Sequence, residues 1–397
     1  PEAVGHGYAE ARGSNGGDRA GKLTWRFVAP RVHDFVWAAD PDYTHTTRER
    51  DDGTVLHFFF QSNERTEDAW ARLPEIMDRV FDYVNEHYGP YPYDQYSFIQ
   101  AGDGGMEYPM ATLITGERSL PSLVGVSVHE LMHSWYQMLL GTNESLYAWM
   151  DEGFTSYASS EVMNYLRAEG VLPGQVTDNP HRGAVNGYVN FSKSGLEEPM
   201  SIHSDHFATN SAYSVAAYVK GEVFLTQLDY ILGAADFDRG MLEYYYRWRF
   251  QHPNANDFIR VMEKQSGLEL DWFKEYFVYT TKTIDYSIGE VADAGAGQTR
   301  LTLEKIGPMP MPLDVLVTYA DGSSELLNIP LRIMRGHKPG APRYGDSTFT
   351  VLEDWPWTHP TYEATIDRPL EEITAIEIDP SGRLADTDRE NNRYQQE

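Results

Sequence analysis

The sequence predicts an α+β fold, on three observations. A strand-and-helix segment comes first: an apolar-rich run at 54–61 precedes Trp70, Leu73, Ile76, Met77, Val80, Phe81 and Val84, which recur at helical spacing. A helical middle follows, from the apolar stretch at 123–140 through Phe277. After Asp285 the character changes to short strand-like runs between Asp-Gly, Pro-Gly and Ser-Gly pairs, the pattern of a small β-sandwich. A length of 397 residues allows two or three domains with sizeable cores.

Residues 1–42 are Gly-rich and polar, with strand-like runs at 23–28 and 34–38. The strand at 54–61 and the amphipathic helix come next, and that helix should stop at Gly89-Pro90. A strand near 96–100 leads into Gly104-Gly105-Met106-Glu107, with another strand at 111–115. The two glycines leave backbone groups open, so an extended peptide could add there as a further strand; read alone, the segment could also be a turn. Leu123, Val124, Val126, Val128, Leu131, Met132, Trp135, Met138, Leu139 and Leu140 make the following helix apolar almost all round, which implies deep burial. Beyond the helices, strands are expected at 313–317, 325–329, 348–352 and 375–378.

Inside the buried helix lies His129-Glu130-Leu131-Met132-His133, and Glu152 follows after an 18-residue gap. Histidines at i and i+4 sit one turn apart on one face, so both imidazoles can reach a single metal ion. Glu130, turned about 100° around the axis, is placed to take a proton from an attacking water. Glu152 would supply the third ligand and leave the fourth position open, as catalytic zinc requires. Two histidines and a glutamate in so apolar a helix are costly unless they bind something. The residues thus point to a zinc hydrolase.

Other polar clusters carry weaker signals. Asp151 precedes the third ligand and could orient a histidine N–H, or simply serve as a first-turn Asp. His203 and His206 lie in a polar loop at 201–207 and read as non-ligands. Asp379, Asp386, Asp388 and Glu390 lack the glycine and spacing of a calcium loop and read as a solvated turn.

Four motifs in order across 104–221 resemble the M1 aminopeptidases, a gluzincin group. They are H-E-x-x-H at 129–133; W-M-D-E-G-F after the 18-residue gap; Gly104-Gly105-Met106-Glu107-Tyr108-Pro109, similar to the family's G-x-M-E-N; and Tyr213 to Gly221, similar to its Y-x4-Y-x-K-G block. The resemblance implies a thermolysin-like catalytic domain at 43–285, preceded by a remnant of an N-terminal β-domain at 1–42 and followed by the β-sandwich at 286–397. It implies one zinc ion on His129, His133 and Glu152, with Glu130 as general base. Tyr218 would stabilise the oxyanion, with Tyr213 beside it and Lys220 fixing the segment that holds Tyr218. Glu107, with Gly104, Gly105 and Met106, would anchor the free amine of a peptide substrate. Tyr108 stands where Asn is more usual, which bears on the shape of the first substrate pocket. Most of the family's N-terminal domain and its larger helical C-terminal domain have no counterpart here, so the chain is expected to be a fragment or a processed product.

Charge bounds the partners. With 32 basic and 60 acidic residues the net charge is −28, and only 8 of the basic residues are lysines. Such a field repels nucleic acid and anionic membranes, which leaves peptide substrates as the expected partners. The acid excess with scarce lysine also suggests adaptation to high salt, where screening relieves self-repulsion. No apolar stretch reaches membrane-spanning length. Zero cysteines exclude disulfides and zinc–thiolate ligation without deciding the compartment, for which a periplasmic or secreted location is favoured. Two rival functions stay open: another zinc hydrolase on the same scaffold, endopeptidase or epoxide-opening, and a non-catalytic binding module. The intact ligand set argues against the second.

Overall fold

The computed structural model describes residues 4–5, 8–11, 26–102, 104–340 and 347–396. Helices and strands are both abundant in the α+β arrangement the sequence predicts. The chain divides into two compact units: 1–142, 158–177 and 245–253 form the first, and 143–157, 178–244 and 254–397 the second.

The first unit opens with β1 (Val4–Gly5), β2 (Tyr8–Ala11), β3 (Arg26–Val28) and β4 (Trp37–Ala38), where β1 pairs with β4 and β2 with β3. The expected run at 34–38 is a strand only over its last two residues, and residues 23–25 lie outside the described ones. Next come β5 (Tyr43–Glu49), β6 (Val55–Gln61), α1 (Glu67–Tyr88), β7 (Gln95–Ala101), β8 (Gly105–Tyr108) and β9 (Ala111–Thr115). The five strands form one sheet in the order β5-β6-β7-β9-β8. The pairs β6/β7 and β7/β9 are parallel, and the outer pairs are antiparallel. A parallel pair needs a crossover, and α1 supplies the one between β6 and β7. All the apolar α1 residues singled out from the sequence are buried, and the helix ends at Gly89, whose φ of +102° suits only glycine. Phe58 of β6 stacks on Phe98 of β7 at 5.1 Å. Phe60 stacks on Trp70 of α1 at 5.2 Å, and the Trp70 indole donates to the Gly116 carbonyl. This core carries α2 (Leu120–Met132), which lies against α1, β8 and β9.

The second unit holds α3 (Glu144–Ala148), the start of α4 (Phe154–Ala168), α5 (Arg182–Ser192), α6 (Asn210–Ser214), α7 (Lys220–Leu232), most of α8 (Ala234–Trp248), α9 (Ala255–Ser266) and α10 (Asp271–Tyr279). Its aromatic core runs from Trp149 to Phe224 of α7 at 4.9 Å and on to Phe273 of α10 at 5.0 Å. Eight strands follow: β10 (Tyr286–Gly295), β11 (Gln298–Lys305), β12 (Leu313–Tyr319), β13 (Ser324–Ile329), β14 (Thr348–Val351), β15 (Thr361–Ile366), β16 (Ile373–Ile378) and β17 (Arg393–Gln395). They make a three-stranded sheet, β10-β11-β15, and a five-stranded one, β14-β13-β12-β16-β17, with β10 lying against β16 and β17. Four of these strands match the expected runs. The β10–β11 hairpin was not foreseen, because its strands mix charge and glycine with few apolar residues. Its turn is carried by Gly295, Ala296 and Gly297, all at positive φ.

Candidate functional site

The packing of α2 on β8 decides what meets in the first unit. A carboxylate oxygen of Glu107 on β8, one of Glu130 on α2 and a ring nitrogen of His133 lie within 4.8 Å of one another. All three side chains are buried, with exposures of 8 %, 6 % and 1 %. Two carboxylates this close and this dry are costly unless a cation or an ammonium joins them. Gly105 leaves room for the Glu130 carboxylate, since a Cβ there would stand 2.2 Å from its Oε1 and 2.9 Å from Val126 and would displace it. The strand β8 ends the sheet order, so its outer backbone edge has no strand beside it among the described residues.

His129 and His133 stand one turn apart at the end of α2, with ring centroids 4.9 Å apart and the rings nearly perpendicular at 87°. The helix stops here, a correction to the single helix expected through Leu140. Met138 N–H donates to the His133 carbonyl and Leu140 N–H to that of Trp135, each five residues back at 3.0 Å. Tyr136 leaves the helical region altogether, at φ −109° and ψ 87°. The break has a chemical result: the Tyr136 carbonyl lies 3.0 Å from His133 Nδ1. A carbonyl can only accept, so Nδ1 carries the proton and Nε2 keeps its lone pair, the arrangement a metal-ligating histidine needs. His133 therefore fits a metal ion, with the His129 ring one turn away.

In the second unit Glu152 lies in the wide π-helical turn Trp149–Gly153, and Tyr218 in another, Val215–Val219. They meet because two glycines let the backbones touch. A Cβ on Gly153 would stand 2.5 Å from Gly221 Cα, and one on Gly221 would stand 2.7 Å from Gly153 Cα. Both glycines belong to the quoted motifs, yet only the structure shows that they face each other. The Tyr218 hydroxyl donates to Glu152 Oε1 at 2.5 Å. Burial, and then the Glu152 charge, hold the Tyr218 phenol well above its usual pKa, so it remains a donor. The Tyr213 phenol is raised by burial and then by Glu152, Asp151 and Glu144, which places it beside the same carboxylates. Asp151 itself is buried.

Lys220 is a buried charge. Its ammonium pairs with Glu197 at 2.6 Å, donates to the Thr280 carbonyl at 3.1 Å, and lies over the Tyr188 and Phe277 rings. Burial pulls its pKa below the ordinary lysine value. One further group escaped the sequence reading: His181 Nδ1 lies 2.9 Å from Glu222 Oε1, and Tyr157 stacks on the imidazole at 4.1 Å. Glu222 is one helical turn beyond Tyr218, and Tyr157 one turn beyond Gly153, so the trio ties the two segments together. No spacing in the sequence links these three positions.

Residues 73–277, just over half of the chain, match the Peptidase family M1 domain. The chain belongs to peptidase family M1. Leucine aminopeptidase 2 of Chaetomium globosum is 25 % identical over 237 residues, covering 54 % of this chain and 38 % of the relative. Aminopeptidase B of Mus musculus is 27 % identical over 204 residues, covering 48 % and 29 %. The fold is similar to Legionella pneumophila aminopeptidase A, solved in complex with aspartic acid, with a TM-score of 0.60 at 13 % identity over 87 % of this chain and 38 % of that one. The chain thus spans well under half the length of these three relatives.

His203 precedes the short turn Ser204–His206 and His206 ends it, and neither joins a group of three ligating side chains among the described residues. Of the acidic residues near the C-terminus, Asp388 and Glu390 are exposed as a solvated turn requires, but Asp379 is 0 % exposed and Asp386 2 %. Asp379 pairs with Arg389 at 3.0 Å and accepts the Leu384 N–H at 2.8 Å. Asp386 accepts the Tyr286 and Asp388 N–H groups, each at 2.9 Å. Their work is to satisfy backbone donors inside the second unit. Burial lifts the Asp386 carboxyl to about 6.

Proposed function

We propose that this chain is a zinc-dependent aminopeptidase that hydrolyses the N-terminal peptide bond of peptides. The observation that carries the reading is the buried meeting of Glu130, Glu107 and His133. It supplies a base, an acidic anchor and a metal-ligating imidazole at one place. Membership of family M1 and the spacing from His133 to Glu152 support a single zinc on His129, His133 and Glu152, within a catalytic domain at 43–285.

Zinc, when bound, supplies a Lewis acid that lowers the pKa of water and polarises a carbonyl. Glu130 takes the proton of the attacking water and delivers it to the departing amine. Glu107, buried next to it, pairs with the free α-ammonium and fixes the cut after the first residue. The free edge of β8, with Gly104, Gly105 and Met106, receives the substrate backbone as an added strand. Tyr218 keeps its proton and, on giving up its hydrogen bond to Glu152, would turn that O–H to the oxyanion, with Tyr213 packed in the same acidic surroundings.

Products from matched free and N-acetylated peptides, analysed by mass spectrometry with zinc present, test this reading. Stepwise loss from free N-termini alone is expected; internal cuts in both sets would make the protein an endopeptidase and remove the role given to Glu107. Glu130→Gln should retain zinc and lose turnover by about 10²–10⁴-fold. Retained turnover would remove Glu130 as the base.

A further inference from the structure

In the second unit, the segment between α10 and β10 meets the loop between β16 and β17. Ile284 forms a parallel bridge with Asp386, and the Thr387 N–H donates to the Ile284 carbonyl at 2.9 Å. A few residues on, the Ile288 N–H donates to the Asn391 carbonyl at 3.0 Å. These two fastenings put Asp285, Asp386, Asn391 and Asn392 in one cluster. Within it the Asn391 amide donates to Asp285 Oδ1 at 3.1 Å.

The cluster has two carboxylates and no cation. Asp386 is buried, Asp285 half-buried, and neither forms an ion pair among the described residues. Each Asp386 oxygen accepts one backbone N–H, from Tyr286 and from Asp388. A carboxylate offers about four lone-pair sites, so about two remain for another partner. Burial first, and then the charge of Asp285, raise the Asp386 pKa, so the carboxylates stand within one another's field.

A second observation does not depend on charge. Asn392 is 1 % exposed, yet neither its Oδ1 nor its Nδ2 has a hydrogen-bond partner. Its amide faces the Asp386 carboxylate and helps to hold the charged form. The Asn391 Oδ1 is buried without a partner as well. Oxygens left dry and unmatched are costly, and a native fold retains them where something binds.

We propose that Asp285, Asp386, Asn391 and Asn392 form a calcium site that clamps the β16–β17 loop to the start of β10. Two carboxylates neutralise the dication, and the amide oxygens extend the all-oxygen set that calcium accepts. Magnesium fits less well, because it demands a near-ideal octahedron. The glycine and spacing of a single calcium loop are absent because the ligands come from two separate segments. The half-buried Asp285 gives the ion its way in from solvent. Binding is read without turnover, so the inference stands apart from the proposed activity.

Titration calorimetry of the zinc-loaded protein with calcium chloride tests the site, in about 0.1 M potassium chloride to screen diffuse attraction to the acidic chain. One calcium ion per chain is expected, with magnesium at least about tenfold weaker. Asp285→Asn should weaken calcium at least about tenfold with an unchanged circular dichroism spectrum. Glu363→Gln removes an equal charge from an exposed position on β15 and should leave the affinity as it was. Calcium should also raise the Tm of the native protein and leave that of Asp285→Asn where it is. No saturable binding, several equivalent ions per chain, full affinity in Asp285→Asn, or equal losses in Asp285→Asn and Glu363→Gln would overturn the assignment.

Discussion

Gly153→Ala tests how the backbone places Glu152. The added methyl would meet Gly221 Cα at 2.5 Å, its carbonyl carbon at 2.7 Å and the Ala217 oxygen at 3.0 Å. All three are main-chain atoms, so no side-chain rotation relieves the clash. Ordinary contact begins near 3.4 Å, and the two segments must therefore part by about 0.9 Å, 3.4 less 2.5. Overpacking of this kind costs about 1–3 kcal/mol. The same shift would stretch the Tyr218–Glu152 hydrogen bond from 2.5 Å towards the limit of such bonds. A displacement of about 1 Å at a reacting centre lowers turnover on the order of 10²-fold. Urea unfolding and kcat on a free peptide measure the two effects. Gly183→Ala is the control: nothing lies within 4 Å of its Cβ position, and a gain of about 0.4–1 kcal/mol is expected. If Gly153→Ala matches the native protein in both midpoint and kcat, close backbone contact is not what positions Glu152.

Lys220→Met should cost about 3–5 kcal/mol in urea unfolding, since it strands the buried Glu197 carboxylate, and adding Glu197→Gln should recover much of it; additive losses would mean the pair is not coupled. Asp386 titrates at about 6 in the fold, above its unfolded value, so the native state holds the proton more tightly. Its contribution is fully present below about pH 4 and is lost as pH rises through 6. Asp386→Asn should flatten the fall in stability between those limits, and an unchanged slope in pH-dependent unfolding would exclude the residue. The net charge of −28 leads us to expect unfolding midpoints and activity that rise from 0.1 M to molar salt, and no rise would end the high-salt reading.

What the sequence reveals depends on how each feature is encoded. The paired histidines follow from a fixed helical repeat, so His129 and His133 were legible from a spacing of four. α1 was legible for the same reason, its apolar stripe matching its buried face. The break at Tyr136 was not, because a hydrogen bond shifted by one residue leaves no mark in composition. Asp379 and Asp386 look like any surface acids, and only the fold shows them buried against backbone N–H groups. The Gly153–Gly221 contact joins positions 68 apart, and neither glycine alone announces a partner.

Three π-helical turns, Ser134–Leu139, Trp149–Gly153 and Val215–Val219, occur at or next to the three helical motifs. A π turn is a helix with one residue more than the regular repeat. Removing one residue from Trp149–Gly153 or Val215–Val219 would restore an ordinary helix and gain regular hydrogen bonding, whereas Ser134–Leu139 is also broken at Tyr136. Such a deletion would also rotate everything on one side of the cut by about 100°. Each of the two unbroken turns therefore acts as a phase setting, and stability and alignment pull on it in opposite directions. In lineages released from selection for activity, single-residue deletions should accumulate first at these two places, ahead of substitutions at His129, His133 and Glu152.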